Sequence, residues 1–275
     1  MANTQKQFAA TTAREAAVEP GELVVQPASL EDCIADPARQ KILRELLEAG
    51  DIPVFKSVAS VSELDRLIHH LHGVMMNSFE TYVPIREGVP NYMRLSLGDE
   101  RALTPLWMVS WSFFSWNRDI FNLFSRYAAV YRLRNILSGL PPEMFISRRV
   151  ERECAARIAV HFFPSGKGML GAHLDPVGLH QLATATLLMT ERGKDYMTGG
   201  FYLKRKTGER LFIEDALEPG DVYMCNPRCP HGVATVDEGS AYDPTSRAGR
   251  WNMVFPVNKI AGNKEVGDAI NYEEA

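Results

Sequence analysis

The chain of 275 residues has no excess of basic charge; its formal net charge is −4 at pH 7. No broad positive field draws a polyanion, so nucleic acid is not an expected partner. No apolar run approaches the roughly 20 residues that a membrane-crossing helix needs, which argues against a membrane partner. The first twenty residues are polar and rich in Ala and Thr, without the hydrophobic stretch of a secretory leader. A cytoplasmic protein is the resulting expectation. Cysteine is scarce. Cys33, Cys154, Cys225 and Cys229 are too few and too scattered for a disulfide framework, so reduced thiols are expected. No internal repeat or low-complexity segment stands out.

What remains is an ordinary globular composition, 45% hydrophobic and 23% charged, with ample material for a core. Nothing marks a boundary at the centre. The expected organisation is a flexible lead over 1–28, one domain over 29–260 and a tail over 261–275. A homodimer is compatible with this organisation. Ser29 and Asp32 form a helix-start pattern, and Ile42, Leu43, Leu46 and Leu47 give an apolar stripe that stops at Gly50. Residues 52–55 read as a strand. Ser62 reads as the cap of a second helix carrying Leu64, Leu67, Ile68 and Leu71. Residues 92–96 read as a strand, and the aromatic stretch 107–116 as the approach to a long helix ending near Gly139.

From about residue 154 the pattern changes. Short apolar runs at 157–163, 182–189, 201–203, 211–213, 222–225, 232–236 and 251–257 alternate with turn signals such as Ser165-Gly166, Gly199-Gly200 and Pro219-Gly220. The fold class expected is mainly β: an antiparallel jelly roll over 154–257, buttressed on one face by helical support over 29–150.

The segment His173-Leu174-Asp175 carries the chemistry. In extended backbone, residues two apart share a face, so this imidazole and carboxylate can bind one ion. His231 opens a later apolar run and is the candidate third ligand. Two histidines and one carboxylate on one face leave about three positions open on an octahedral ion, an arrangement suited to Fe(II) working with O₂. His-X-Asp alone is common by chance; the order of the accompanying strands and turns gives it weight.

These pieces resemble the double-stranded β-helix of the Fe(II)/2-oxoglutarate dioxygenases, closest in pattern to the prolyl-4-hydroxylase-like branch. The resemblance rests on His173-Leu174-Asp175, residues 184–189, Thr198-Gly199-Gly200, Pro219-Gly220-Asp221, Pro230-His231-Gly232 and Gly249-Arg250-Trp251. It covers 154–257; the N-terminal half carries no matching motif. It implies Fe(II) as cofactor, 2-oxoglutarate and O₂ as co-substrates, succinate and CO₂ as by-products, and oxidation, by default hydroxylation, of an unactivated C–H bond. Arg250 takes the role of pairing with the distal carboxylate of 2-oxoglutarate, with Arg247 as runner-up. Thr184 and Thr186, on one face of their strand, are further co-substrate candidates. Relatives often have a tyrosine near the position of Phe163; its absence makes His161 a candidate substitute. Asp175 argues against halogenation, where a small residue makes room for halide.

A small-molecule substrate, such as an amino acid or a natural-product intermediate, is the leading expectation. A peptide-residue hydroxylase and a non-catalytic metal-binding cupin-like module are the alternatives. Arg94, Trp111 and His180 are candidate substrate contacts: Arg94 as an inward cation, Trp111 from an aromatic stretch that either packs on the sheet or forms a lid, His180 at the entrance. Cys225-X₃-Cys229-X-His231 offers a weaker zinc reading that lacks a fourth ligand. His69, His70 and His72 on a helix read as solvated.

Overall fold

The computed structural model describes residues 17–98, 102–176, 183–260 and 268–272. Most of the expected lead and tail lies outside them. In chain order the elements are β1 (Leu23–Val25), α1 (Leu30–Ala35), α2 (Pro37–Ala49), β2 (Ile52–Phe55), α3 (Val61–Asn77), β3 (Tyr92–Leu97), β4 (Leu106–Phe114), α4 (Leu123–Arg126) and α5 (Ala128–Leu137). The strands β5 (Cys154–Pro164), β6 (Met169–Leu174), β7 (Thr184–Leu188), β8 (Gly200–Lys204), β9 (Arg210–Phe212), β10 (Val222–Cys225), β11 (His231–Ala234), β12 (Gly249–Val254), β13 (Val257–Lys259) and β14 (Ile270–Asn271) follow.

Strands β5 to β12 divide into two sets of four. One runs β10-β7-β12-β5, the other β6-β11-β8-β9, and β4 bridges them by pairing with both β5 and β6. Apart from the β8–β9 hairpin, successive strands alternate between the sets, which is the winding of a double-stranded β-helix: the fold is a mainly β jelly roll. The N-terminal part adds β2 and β1 beyond β10, and β3 and β4 beside β5.

The helices form as their end signals dictate. Ser29 and Asp32 make a reciprocal capping box on α1, and Gly50 closes α2 in the left-handed conformation. The cap of α3 is Ser60 rather than Ser62; Ser60 also holds Glu63 through its hydroxyl at 2.9 Å. The helices cover the outer face of the larger sheet. Leu43, Leu64, Leu71, Val130 and Leu133 join Ile158, Val160, Phe162, Trp251 and Met253 in one apolar core. Each such buried Leu, Ile or Phe side chain contributes roughly 1.5–3 kcal/mol.

Two expectations are corrected. Residues 107–116 do not lead into a helix; most of them belong to β4, at the centre of the sheet. The long helix expected to follow is instead α4 and α5, broken at Tyr127. The reason is a period of two, with Val109 and Trp111 facing the apolar core and Ser110 and Ser112 facing inward. Valine, tryptophan and phenylalanine suit such a pleated, half-buried surface better than a helix.

Candidate metal centre

The barrel interior holds a cavity of about 420 Å³. His173, near the end of β6, and His231, at the start of β11, are direct cross-strand partners. Their rings lie 4.4 Å apart between centroids. Asp175 follows β6, with its backbone N–H donating to the Pro227 carbonyl at 3.2 Å. Its Oδ1 is 3.7 Å from His173 Nε2 and its Oδ2 3.7 Å from His231 Nε2. The three ligand atoms lie within 4.8 Å of one another, and this is the only such His/Cys/Asp/Glu cluster among the described residues.

Both imidazoles are oriented through the opposite nitrogen. His173 Nδ1 lies 3.1 Å from the Gly171 carbonyl and His231 Nδ1 2.9 Å from that of Cys229. A carbonyl only accepts, so each Nδ1 carries the proton and each Nε2 presents its lone pair to the centre. Burial, with His231 beside it, pushes His173 down to about 4, so this ring is neutral at neutral pH. Two lone pairs and a carboxylate on one side of a space are a donor set that fits a divalent transition metal.

Arg250, on β12, lines the same cavity and is fully buried. Its Nε donates to Glu214 Oε1 at 2.7 Å, and Nη1 donates to Asn252 Oδ1 at 2.7 Å. Nη2 is also 2.7 Å from Glu214 Oε1 but is off line for a hydrogen bond, so its hydrogens have no in-line acceptor. Glu214 Oε2 accepts from the Tyr196 hydroxyl at 2.6 Å and the Phe201 N–H at 2.9 Å. Burial alone would raise the Glu214 carboxyl; Arg250 and these donors outweigh it and hold the group below its ordinary value. Gly200 is required here. Its φ is +97°, and a Cβ would come within 2.5 Å of Glu214 Oε2. Phe163 and Phe201 flank the guanidinium, 5.5 and 5.9 Å from its carbon to their ring centroids.

The remaining candidates separate. Thr184, Thr186 and His161 line the cavity, with Thr184 donating to the Cys225 carbonyl at 3.2 Å. His161 is pushed down to about 3 by burial and by the nearby Arg157, Arg250 and His173. Arg94 also lines the cavity. Trp111 does not: it sits in the outer apolar core, stacked on Trp251 at 5.3 Å. The residues that β4 turns to the cavity are Leu106, Met108 and Ser110, so a lid role for Trp111 is replaced by core packing. His180 lies outside the described residues. Arg247 is exposed and pairs with Asp65 at 3.3 Å. Cys225 and Cys229 are buried thiols pushed up, Cys229 to about 12, and their sulfurs stand outside the ligand cluster. Protonated thiols are poor zinc ligands.

Sequence reasoning missed Glu214 and Tyr223. Tyr223, on β10, is fully buried, lines the cavity opposite Thr186, and packs 5.3 Å from Phe201. Its placement follows from alternation in Val222–Cys225, where Val222 and Met224 enter the outer core. Glu214 gave no signal, because its partners Tyr196, Phe201 and Arg250 lie far from it in the chain.

No protein-family profile and no curated protein sequence matches the chain. Solved structures do match. A full-length protein of Neurospora crassa, in complex with alpha-KG and thymine, aligns at TM-score 0.52 and 10% identity, over 91% of this chain and 93% of that one. JOX2, in complex with 2OG, Fe and JA, aligns at TM-score 0.51 and 11% identity, over 90% and 78%. A prolyl-4-hydroxylase of Pseudomonas putida aligns at TM-score 0.49 and 12% identity, over 80% and 98%. At such identities the likeness establishes the fold. Fold and site together define a jelly-roll protein with two histidines and one carboxylate converging in its interior. No helix among the described residues is long and apolar enough to cross a membrane.

Proposed function

We propose that this protein is a non-haem Fe(II)- and 2-oxoglutarate-dependent oxygenase that oxidises, by hydroxylation, an unactivated C–H bond of a small molecule. The observation that carries the reading is the inward triad of His173, Asp175 and His231, sharing one cavity with the buried Arg250. Iron bound to the triad supplies the activation of O₂ that is coupled to conversion of 2-oxoglutarate into succinate and CO₂.

The chain's own residues do the rest. The carbonyls of Gly171 and Cys229 fix the ring orientations of His173 and His231. Glu214 occupies one edge of the Arg250 fork, leaving donors on Nη1 and Nη2 to receive the distal carboxylate of the co-substrate. Thr186 and Tyr223 face the same space, and Tyr223 supplies the phenol that Phe163 lacks. Phe163 and Phe201 exclude water around this end, which strengthens each charge-assisted bond there. An interior cavity of about 420 Å³ suits a small molecule better than an extended peptide.

The test is anaerobic loading with Fe(II) followed by 2-oxoglutarate. A visible charge-transfer band on addition of the co-substrate, and succinate release on admitting O₂, are the expected results. Iron that binds without either response would defeat the proposal.

A further inference from the structure

The cavity holds more positive charge than the co-substrate reading uses. Four cationic side chains line it: Arg94, Arg157, Arg250 and Lys259. Glu214 neutralises Arg250, and Asp268 pairs with Lys259 at 2.6 Å. Arg94 and Arg157 have no carboxylate partner among the described residues. The Arg94 guanidinium lies over the Tyr82 ring, 4.6 Å from its centroid, a contact that orients the cation without cancelling its charge. Among the described residues, Arg157 Nη1 donates only to the Ser112 hydroxyl, at 3.4 Å, and its buried Nε has no hydrogen-bond partner.

The strand register brings these groups to one wall. Arg94 of β3 is opposite Ser110 of β4, which is opposite His161 of β5; Tyr92 is opposite Ser112, the hydroxyl that Arg157 reaches. Ser96 shares the face of Arg94. It is 1% exposed, and its hydroxyl finds no partner among the described residues. A buried hydroxyl and a buried guanidinium N–H left without acceptors each cost free energy, which an entering acceptor would return. This wall is built from β3, β4 and the start of β5, whereas Arg250 lies on the neighbouring β12 beside the far end of β5, opposite Phe163.

We propose that Arg94 and Arg157, with Ser96, form a second anion subsite that grips a carboxylate on the substrate, so that the substrate is an organic acid. This deepens the oxygenase reading and rests on it for the word substrate. Two guanidiniums with hydroxyls between them match the planar, two-oxygen geometry of a carboxylate. Anchoring a carboxylate there would aim the rest of the molecule along the cavity toward the triad.

The titrations use metal-free protein and read binding alone, so they can fail while the oxygenase reading stands, and the reverse; the co-substrate band is read separately on iron-loaded protein. Aliphatic and aryl monocarboxylates, each with its primary amide and its phosphonate, are titrated by calorimetry and thermal shift. The wild type is compared with R94Q, R157Q, R94K and the surface control R247Q. Acids should bind in preference to their amides. R94Q and R157Q should each weaken the acids about tenfold or more, R94K should restore part of the loss, and R247Q should match the wild type. The Fe(II)/2-oxoglutarate band should persist in R94Q and R157Q. The proposal is overturned if no acid exceeds its amide, if phosphonates outrank carboxylates, if R94Q and R157Q bind acids as the wild type does, or if either variant loses the co-substrate band.

Discussion

The two faces of β5 show how one strand serves two ends. Its outward residues, Ile158, Val160 and Phe162, are buried in hydrocarbon against the helices. Its inward residues, Arg157, His161 and Phe163, line a cavity that holds three guanidiniums, Arg157 among them, and the candidate metal-ligand set. The neighbouring β12 repeats the division, with Trp251 and Met253 outward and Arg250 and Asn252 inward. Strand geometry sends alternate side chains to opposite faces, so adjacent residues can answer to different demands. Outward positions are set by packing. Inward positions tolerate buried charge only where a network such as Glu214–Arg250–Tyr196 satisfies it, or where a ligand completes it.

This division predicts that inward changes alter chemistry at nearly constant stability, and outward ones the reverse. The largest effect belongs to Asp175→Ala. Coupled 2-oxoglutarate turnover should fall by more than the roughly 100-fold that disturbing an outer partner of a metal ligand costs, with the melting temperature within a few degrees of wild type. Retained turnover would dissolve the triad assignment. Phe162→Ala tests the other face. Phe162 stacks on Trp251 at 4.3 Å, and its truncation should cost about 3–5 kcal/mol in denaturant melts. Molecules that remain folded should still develop the co-substrate band. A cost under about 1 kcal/mol would show that the outer core repacks freely.

The inner face was partly legible in the sequence, and the reason is locality. His173 and Asp175 announce a shared face because two residues is the strand period. The antiparallel strands of the jelly roll were visible through the same alternation and the glycine turns between them. The β4 strand was hidden by its aromatics. Trp107, Trp111 and Phe114 recur at intervals of four and three that also fit a helical stripe, and the alternation of Ser110 and Ser112 with Trp111 and Phe113 is what speaks for a strand. Glu214 was hidden for a different reason. It sits in a short 3₁₀ turn, and its role exists only through Arg250, Tyr196 and the Phe201 N–H, brought together by the fold. Long-range hydrogen bonds of this kind leave no periodic trace.

Glu214→Gln sharpens the comparison, because it changes a single charge behind the inner face. Gln keeps the shape but weakens the clamp on Arg250. The 2-oxoglutarate requirement should rise about tenfold with a smaller change in the maximal rate, at a stability cost of roughly 1–3 kcal/mol. An unchanged requirement would mean that Arg250 is held well enough by Asn252 and packing alone.

His161 adds a pH dependence specific to the inner face. Its ring is pushed down from 6.5 to about 3, so between those values the unfolded chain takes up a proton that the folded chain refuses. Stability should therefore fall as pH drops through this window, by up to about 1.36 kcal/mol per unit. His161→Asn removes the titrating group and should flatten that part of the acid limb, by about 1–2 kcal/mol at pH 5 relative to pH 7. Parallel curves for the two proteins would show that His161 does not carry the effect.

Arg247→Ala marks the lower limit. Arg247 stands three residues before Arg250, yet it points to solvent and pairs with Asp65 where both side chains are at least half exposed. Such pairs contribute about 0–1 kcal/mol and are screened by salt. The one inward contact of Arg247 is its backbone carbonyl, which accepts from Trp251 Nε1 at 3.1 Å and is kept by alanine. Stability should therefore move by no more than about 0.5 kcal/mol, and the 2-oxoglutarate requirement should not move at all. If Arg247→Ala raised that requirement while a folded Arg250 variant did not, the distal carboxylate would have to be held outside the buried network, and burial would no longer separate the two arginines.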